Sequence, residues 1–182
     1  MDIRAFISVP VTGKIVDAPV LRQLRADKAV RTVPLDNLHI TLCFIGDMPE
    51  GRVAEVGKVI DDAISGVASG EVRLKGLGAF PKPKDPRVVW VGVDTAVPLP
   101  EVAVRIKNGL SGLGIGFDSK PFKPHVTIGR VKGTTDLSAA VDANRDLELT
   151  SFRCDSVCLM KSELKPTGAR YTVVSRHHLM DE

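Results

Sequence analysis

The chain has 182 residues, of which 43% are hydrophobic and 26% are charged, and its formal net charge at pH 7 is +3. This composition is ordinary for a globular protein with one core or two fused lobes, and no apolar run approaches the ~20 residues that span a bilayer. The N-terminus does not begin a secretory signal, so we expect a cytoplasmic protein with no membrane partner. The small net charge excludes nucleic-acid binding over the whole surface, although a local basic cleft could hold a few phosphates.

The hydrophobic periodicity predicts strands and helices that alternate along the chain. Predicted strands cover residues 3–9, 31–33, 39–45, 71–77, 87–93, 147–160 and 170–175, and another begins at His125. Apolar residues at helical spacing predict helices over 16–24, 53–64, 99–110 and 137–141. Pro19 breaks or restarts the first helix, and Gly46 and Asp47 end the strand 39–45. The nearly continuous apolarity of 87–93 predicts a buried, central strand.

A His-x-Thr motif occurs twice, at His39-Ile40-Thr41 and at His125-Val126-Thr127. Each copy lies in a run that alternates polar with apolar side chains, which is typical of a strand. Side chains two residues apart on a strand share a face, so each motif presents an imidazole beside a hydroxyl. One such pair on a wet sheet face usually has no function, but chance predicts only roughly 0.2 such triplets at this composition. The repeated motif is therefore the main functional clue.

The two halves of the chain share an order, in which a covering helix precedes a motif strand, and this indicates an internal duplication. If the halves pack about a pseudo-twofold axis, the motifs face each other across a groove. A tetrahedral anion there could accept hydrogen bonds from Thr41 and Thr127 while an imidazole approaches from each side. Displacement at phosphorus needs a base near the attacking water and an acid near the leaving oxygen, and two histidines can fill both roles near neutral pH.

A metal site is the competing explanation of the histidines. Neither motif supplies the nearby carboxylate or third imidazole that metal sites usually use, so we expect neither a metal nor another cofactor. The three cysteines, Cys43, Cys154 and Cys158, are too few and odd in number for a disulfide framework, and we expect buried thiols. Cys43 extends the face of the first motif, which leaves a nucleophilic thiol as an alternative.

Substrate-binding candidates surround the second motif. Arg130 lies on the opposite face from Thr127 in a regular strand, so contact with phosphate requires a bulge, for which Gly129 gives an opening. An exposed arginine at the rim of the groove is the alternative. Phe122 and Lys123 are further candidates for substrate contact.

Other residues have weaker claims. Arg4 is a further candidate for phosphate contact. Aromatic residues make up only 4% of the chain, so base stacking must come from one or two of them. The candidates are Phe6, Phe44, Phe122 and Tyr171, of which Phe44 belongs in the core by its position in the alternating pattern. The adjacent His177 and His178 are predicted to form an exposed tail.

The sequence resembles the two-histidine phosphoesterases, and within them the bacterial and archaeal RNA 2′,3′-cyclic phosphodiesterases once called 2′-5′ RNA ligases. Besides the motifs, the resemblance covers residues 4–6, 34–46, 76–81, 86–90, 122–130 and 159–162, and Gly168 and Tyr171. It implies an α+β fold of two pseudo-symmetric lobes, each an antiparallel sheet covered by helices, with the active-site cleft between them. The two lobes would intertwine in a single domain over residues 1–182.

The resemblance also implies hydrolysis of RNA 2′,3′-cyclic phosphate ends to 2′-phosphates. His39 would be the proton donor and His125 the proton acceptor, with Thr41 and Thr127 on the phosphate. The reverse reaction would join RNA ends, and tRNA halves are candidate partners. We expect the protein to be a monomer. Two alternatives stay open: a nucleotide or RNA-end binding module with vestigial chemistry, and a phosphodiesterase for a small cyclic phosphate.

Overall fold

The computed structural model describes residues 1–181, which form nine strands and four α-helices. The strands are β1 (Asp2–Pro10), β2 (Val30–Thr32), β3 (His39–Pro49), β4 (Gly70–Phe80), β5 (Val88–Thr95), β6 (His125–Val131), β7 (Glu148–Cys154), β8 (Ser156–Lys165) and β9 (Gly168–His178). The helices are α1 (Pro19–Ala26), α2 (Val53–Ala63), α3 (Leu99–Gly112) and α4 (Ser138–Ala143). Short 3₁₀ turns cover Leu35–Asn37 and Glu50–Arg52.

The strands form one antiparallel sheet in the order β7-β4-β5-β6-β3-β1-β8-β9, with β2 added to β6. The two motif strands, β3 and β6, meet in the middle through a single residue pair, Ile40 and Val126. On one side of this joint β3 is followed by β1, β8 and β9, and on the other side β6 is followed by β5, β4 and β7. Each motif strand is thus the first strand of a four-stranded half, which confirms the predicted α+β fold with two antiparallel lobes.

The helices cover the sheet and leave the motif face open. Helices α2 and α3 pack on each other, with α3 against β3 and α2 against β8 and β9, while α1 contacts β2 and α4 contacts β4. Ile60 and Ile106 of the two packed helices are fully buried, as are Ile40 and Val126 of the joint. Since alternate strand residues point to opposite faces, burial of Ile40 and Val126 turns the neighbouring histidines and threonines to the other face.

Several predicted elements have other bounds in the structure, and three of the differences have a clear physical reason. The first helix begins at Pro19 instead of residue 16, because proline suits a first helical turn, and Val16 lies before it with 51% of its surface exposed. The strand predicted to end at Gly46 continues to Pro49, with Gly46 at φ +84° inside it. The long strand predicted over 147–160 is two strands, because the chain crosses at Asp155 from β7 in one half to β8 in the other.

The predicted burial of β5 is correct for one of its faces. Val89 and Val91 are fully buried, whereas Val88 and Trp90 on the other face are partly exposed. Strand β5 lies inside the sheet, between β4 and β6. No helix among residues 1–181 has the length and apolarity to cross a membrane.

Candidate active site

The two motifs face a common groove. Continuing the antiparallel pairing of Ile40 with Val126 brings His39 towards Thr127 and Thr41 towards His125. A cavity of about 140 Å³ collects these side chains. Its lining residues are Phe6, Val33, His39, Thr41, Phe44, His125, Thr127, Arg130, Ser162 and Tyr171. The predicted juxtaposition of the two motifs is therefore present.

Both imidazoles are held by the same local hydrogen bond. His39 Nδ1 donates to the carbonyl of Asn37 at 2.7 Å, and His125 Nδ1 donates to the carbonyl of Lys123 at 2.6 Å. A carbonyl oxygen can only accept, so in the neutral rings the proton lies on Nδ1. This leaves Nε2 of each histidine as the nitrogen that can take or give a proton in the groove.

Two aromatic side chains stand beside each histidine. The ring centres of Phe6 and Tyr171 lie 4.9 and 5.4 Å from that of His39. Phe80 and Trp90 lie 5.6 and 6.4 Å from His125. These walls restrict the orientation of both rings. Sequence reasoning missed Phe80 and Trp90, whose apolar runs are equally typical of a core.

The surroundings of His39 favour its neutral form. Burial lowers the pKa of His39, and the positive charges of Arg130 and His125 lower it further, against the opposing effect of the hydrogen bond to Asn37. A bound phosphate would offset the charge of Arg130. The protonation of His39 is therefore sensitive to whether an anion occupies the groove.

A one-residue bulge follows each motif. Ile128 of β6 has no partner on β5, because Thr127 pairs with Trp90 and Gly129 with the next residue, Val89. Arg130 is thereby returned to the face of Thr127, where it lines the cavity. Arg130 needs a bulge to reach the cleft, and that bulge is present.

The matching bulge in β3 corrects a prediction. Leu42 has no partner on β1, because Thr41 pairs with Ser8 and Cys43 with Ile7. Phe44 therefore returns to the face of Thr41 and lines the cavity instead of entering the core. Its predicted core position was wrong because the alternation of apolar residues does not reveal an inserted one.

A second, larger cavity of about 420 Å³ adjoins the first and shares Thr41, Phe44 and His125 with it. Phe122 and Lys123 lie here and not among the residues that line the smaller cavity. The remaining lining residues are Leu42, Cys43, Phe80, Lys107, Asp118, Lys120 and Pro121. Three lysines and three phenylalanines make this cavity cationic at its rim and aromatic on its walls.

A family model described as the 2′-5′ RNA ligase superfamily matches residues 15–166. The chain belongs to this superfamily. It is 34% identical to the RNA 2′,3′-cyclic phosphodiesterase of Methanothermobacter thermautotrophicus, over 94% of this chain and 96% of that protein. It is 38% identical to the RNA 2′,3′-cyclic phosphodiesterase of Aeropyrum pernix, over 78% of this chain and 82% of that one.

Solved structures agree with this membership. The crystal structure of TT0787 of Thermus thermophilus has a TM-score of 0.76 and 27% identity, over 98% of this chain and 99% of that one. E. coli LigT complexed with 3′-AMP has a TM-score of 0.71 over 99% of both chains, at 21% identity, and so shares the fold. The two-lobed architecture of this chain is thus shared with both of these solved structures.

Two predictions concern other residues of this superfamily member. Cys43 is buried, and burial raises the pKa of its thiol to about 11, so the thiol stays protonated and the nucleophilic alternative is disfavoured.

His177 is not part of an exposed tail. Its Nδ1 lies 2.7 Å from Oδ1 of Asp61, and this contact joins β9 to α2. Its Nε2 lies 2.8 Å from Oγ of Ser175 on the same strand. Within residues 1–181 no group of three or more His, Cys, Asp or Glu is arranged to hold a metal ion.

Proposed function

We propose that this protein hydrolyses RNA 2′,3′-cyclic phosphate ends to 2′-phosphates, with one histidine taking a proton from water and the other giving a proton to the leaving oxygen. The observation that carries the proposal is that both His-x-Thr pairs line one cavity, with each Nδ1 held by a backbone carbonyl and each Nε2 left for chemistry. Relatives named RNA 2′,3′-cyclic phosphodiesterase, such as that of Methanothermobacter thermautotrophicus, support this activity for the chain.

The phosphate would lie between the two motifs. The hydroxyls of Thr41 and Thr127 would donate to its non-bridging oxygens, and the Arg130 guanidinium would neutralise its charge. Hydrogen bonds to a charged group are each worth about 1.5 to 3 kcal/mol. This cradle places phosphorus between the two Nε2 atoms.

The proposed reaction moves one proton at each histidine. Nε2 of His125 takes a proton from the attacking water as the water oxygen bonds to phosphorus. The bond from phosphorus to the 3′ oxygen breaks, and His39 gives the Nε2 proton to that oxygen. The product keeps its phosphate on the 2′ oxygen. The assignment of donor and acceptor follows the family resemblance, and a low pKa suits His39 to releasing its proton once it carries one.

We assign the nucleoside to the larger cavity. Phe44, Phe80 and Phe122 offer aromatic surface for a base, and Lys107, Lys120 and Lys123 offer hydrogen-bond donors around that base. Lys123 already lies 5.6 Å from the ring centre of Phe80. RNA recognition would therefore depend on the aromatic walls and on a few lysines.

We further propose that the chain acts as a monomeric single domain of two intertwined lobes in the cytoplasm, with tRNA halves among its substrates. Cys43, Cys154 and Cys158 are all buried free thiols, which fits a reducing compartment. Ligation at the same site would use a 5′-hydroxyl in place of water: its oxygen bonds to phosphorus as the bond to the 3′ oxygen breaks, which leaves a 2′-5′ linkage and is reversible.

The experiment is to incubate the EDTA-treated protein with an oligoribonucleotide ending in a 2′,3′-cyclic phosphate and to identify the product isomer. We expect conversion to a 2′-phosphate that is lost in the His125→Ala variant. Tight binding of the cyclic end without hydrolysis would instead favour the binding module. Hydrolysis of a small cyclic phosphate in preference to the oligonucleotide would change the substrate.

A further inference from the structure

Arg31 and Arg130 lie directly opposite each other in the antiparallel pairing of β2 with β6. Both side chains are exposed, and neither forms an ion pair within residues 1–181. Like charges directly opposite in a sheet destabilise it, and their Cβ atoms are typically about 4.5 to 5.5 Å apart. An anion bound between the two guanidinium groups would relieve this repulsion.

The arginine pair lies on the active-site face. The bulge at Ile128 returns Arg130 to the face of Thr127, and residues opposite each other in a pairing share a face, which places Arg31 there too. Val33 follows two residues after Arg31 and lines the catalytic cavity. Two residues of strand span about 6.6 Å, so Arg31 lies about that far along the strand from Val33 and extends the positively charged side of the groove beyond Arg130.

We propose that Arg31 binds the phosphate on the 5′ side of the terminal nucleoside, on the outer side of Arg130, which keeps its contact with the cyclic phosphate in the cavity. This inference rests on the proposed function. With the cyclic phosphate between the motifs, the only neighbouring phosphodiester of an RNA end lies across the ribose. C1′ and C4′ flank the ribose ring oxygen, so a ribose over the groove sends its base one way and its 5′ phosphate the other.

The two ends of the groove match this division. The larger cavity adjoins Thr41, Phe44 and His125, on the side where the base would lie. The arginine pair is beyond Thr127, further along β6. The substrate class is therefore an RNA end that carries a 5′ phosphate on its last nucleoside, in preference to a nucleoside 2′,3′-cyclic monophosphate.

The test compares Arg31→Gln with wild type on two substrates, a short oligoribonucleotide and adenosine 2′,3′-cyclic monophosphate. We expect the ratio of kcat/KM for the oligonucleotide to that for the mononucleotide to fall by about 10-fold or more, as for a lost charge-assisted hydrogen bond. The salt dependence for the oligonucleotide should weaken by a slope of about 0.7. Arg73→Gln, an exposed strand arginine on β4, is the matched control, and its ratio should match that of wild type.

An unchanged ratio in Arg31→Gln, or an equal loss on both substrates, would overturn the second phosphate site. Failure of the proposed function gives a different result, because wild type would then hydrolyse neither substrate. In that case the deciding measurement is the affinity of each variant for a fluorescent oligoribonucleotide whose last nucleoside carries a 5′ phosphate. Weaker binding by Arg31→Gln than by Arg73→Gln supports the site, and equal binding overturns it.

Discussion

Phe44 and Arg130 occupy equivalent positions in the two lobes. Each lies at the same sequence distance beyond its motif histidine, each follows one bulged residue, and each lines the catalytic cavity. The pseudo-twofold arrangement therefore presents an aromatic ring on one side and a guanidinium on the other. A nucleotide has the same asymmetry, with a base at one end and a phosphate at the other.

Replacing Phe44 with alanine should weaken action on RNA ends. Stacking of a base on an aromatic ring is worth about 1 to 3 kcal/mol, so we expect kcat/KM to fall by about 5-fold to 150-fold. The leucine variant, which keeps apolar bulk without the aromatic face, should recover only part of the loss. Steady-state kinetics on the oligoribonucleotide measure this, and full activity of Phe44→Ala would place the base elsewhere.

The two threonines should each contribute one hydrogen bond to the bound phosphate. We expect Thr41→Val and Thr127→Val to lower kcat/KM by about 10-fold to 100-fold, because each removes a hydroxyl donor to a charged oxygen. Serine at either position restores a hydroxyl and should recover much of the rate. If valine and serine variants behaved alike, the hydroxyl would have no part in phosphate binding.

The Arg130→Gln variant should raise the pKa of His39. Burial, the largest cause of its lowering, remains, but the positive charge of Arg130 that disfavours the imidazolium is removed. His39 in the free protein then stays protonated to higher pH. If the rate falls with rising pH because His39 loses this proton, that fall also shifts to higher pH. Titration of the His39 ring by NMR measures the shift, with Arg22→Gln as a control on α1. An unchanged or lower pKa in Arg130→Gln would contradict the electrostatic account.

Gly78 should be required for the wall behind His125. A Cβ added there would meet the Trp90 ring at 2.2 Å, so Gly78→Ala must displace the indole. We expect destabilisation of about 1 to 3 kcal/mol, as for overpacking of a core, together with a loss of activity. Gly116→Ala is the control, since nothing lies within 4 Å of its added Cβ. Equal unfolding midpoints in urea for the two variants would show that Trp90 moves without cost.

The motifs were predictable because a strand fixes the relation between residues two apart. Alternation at His39 and Thr41, and again at His125 and Thr127, placed both pairs on one face, and the structure agrees. The bulges were less visible. Gly129 left an opening for the one in β6 without predicting it, whereas the one at Leu42 inserts an apolar residue into an apolar run and leaves no signal.

Long-range pairing was the other limit of prediction. Residues 147–160 have one continuous strand pattern, but the chain passes at Asp155 from β7 in one lobe to β8 in the other. The partner that ties His177 to the rest of the fold, Asp61, lies far from it in sequence, on α2. Such contacts depend on which elements meet in space, and local periodicity does not contain that information.

The most direct test of the account is single-turnover hydrolysis of the cyclic-phosphate oligoribonucleotide by His39→Ala, His125→Ala and the double variant. Each proton transfer is worth about 10² to 10⁴ in rate, so each single variant should lose at least about 10² while keeping its circular dichroism spectrum. His178→Ala, an exposed histidine at the end of β9, should keep the wild-type rate. A near wild-type rate in either His39→Ala or His125→Ala would contradict catalysis by the paired histidines.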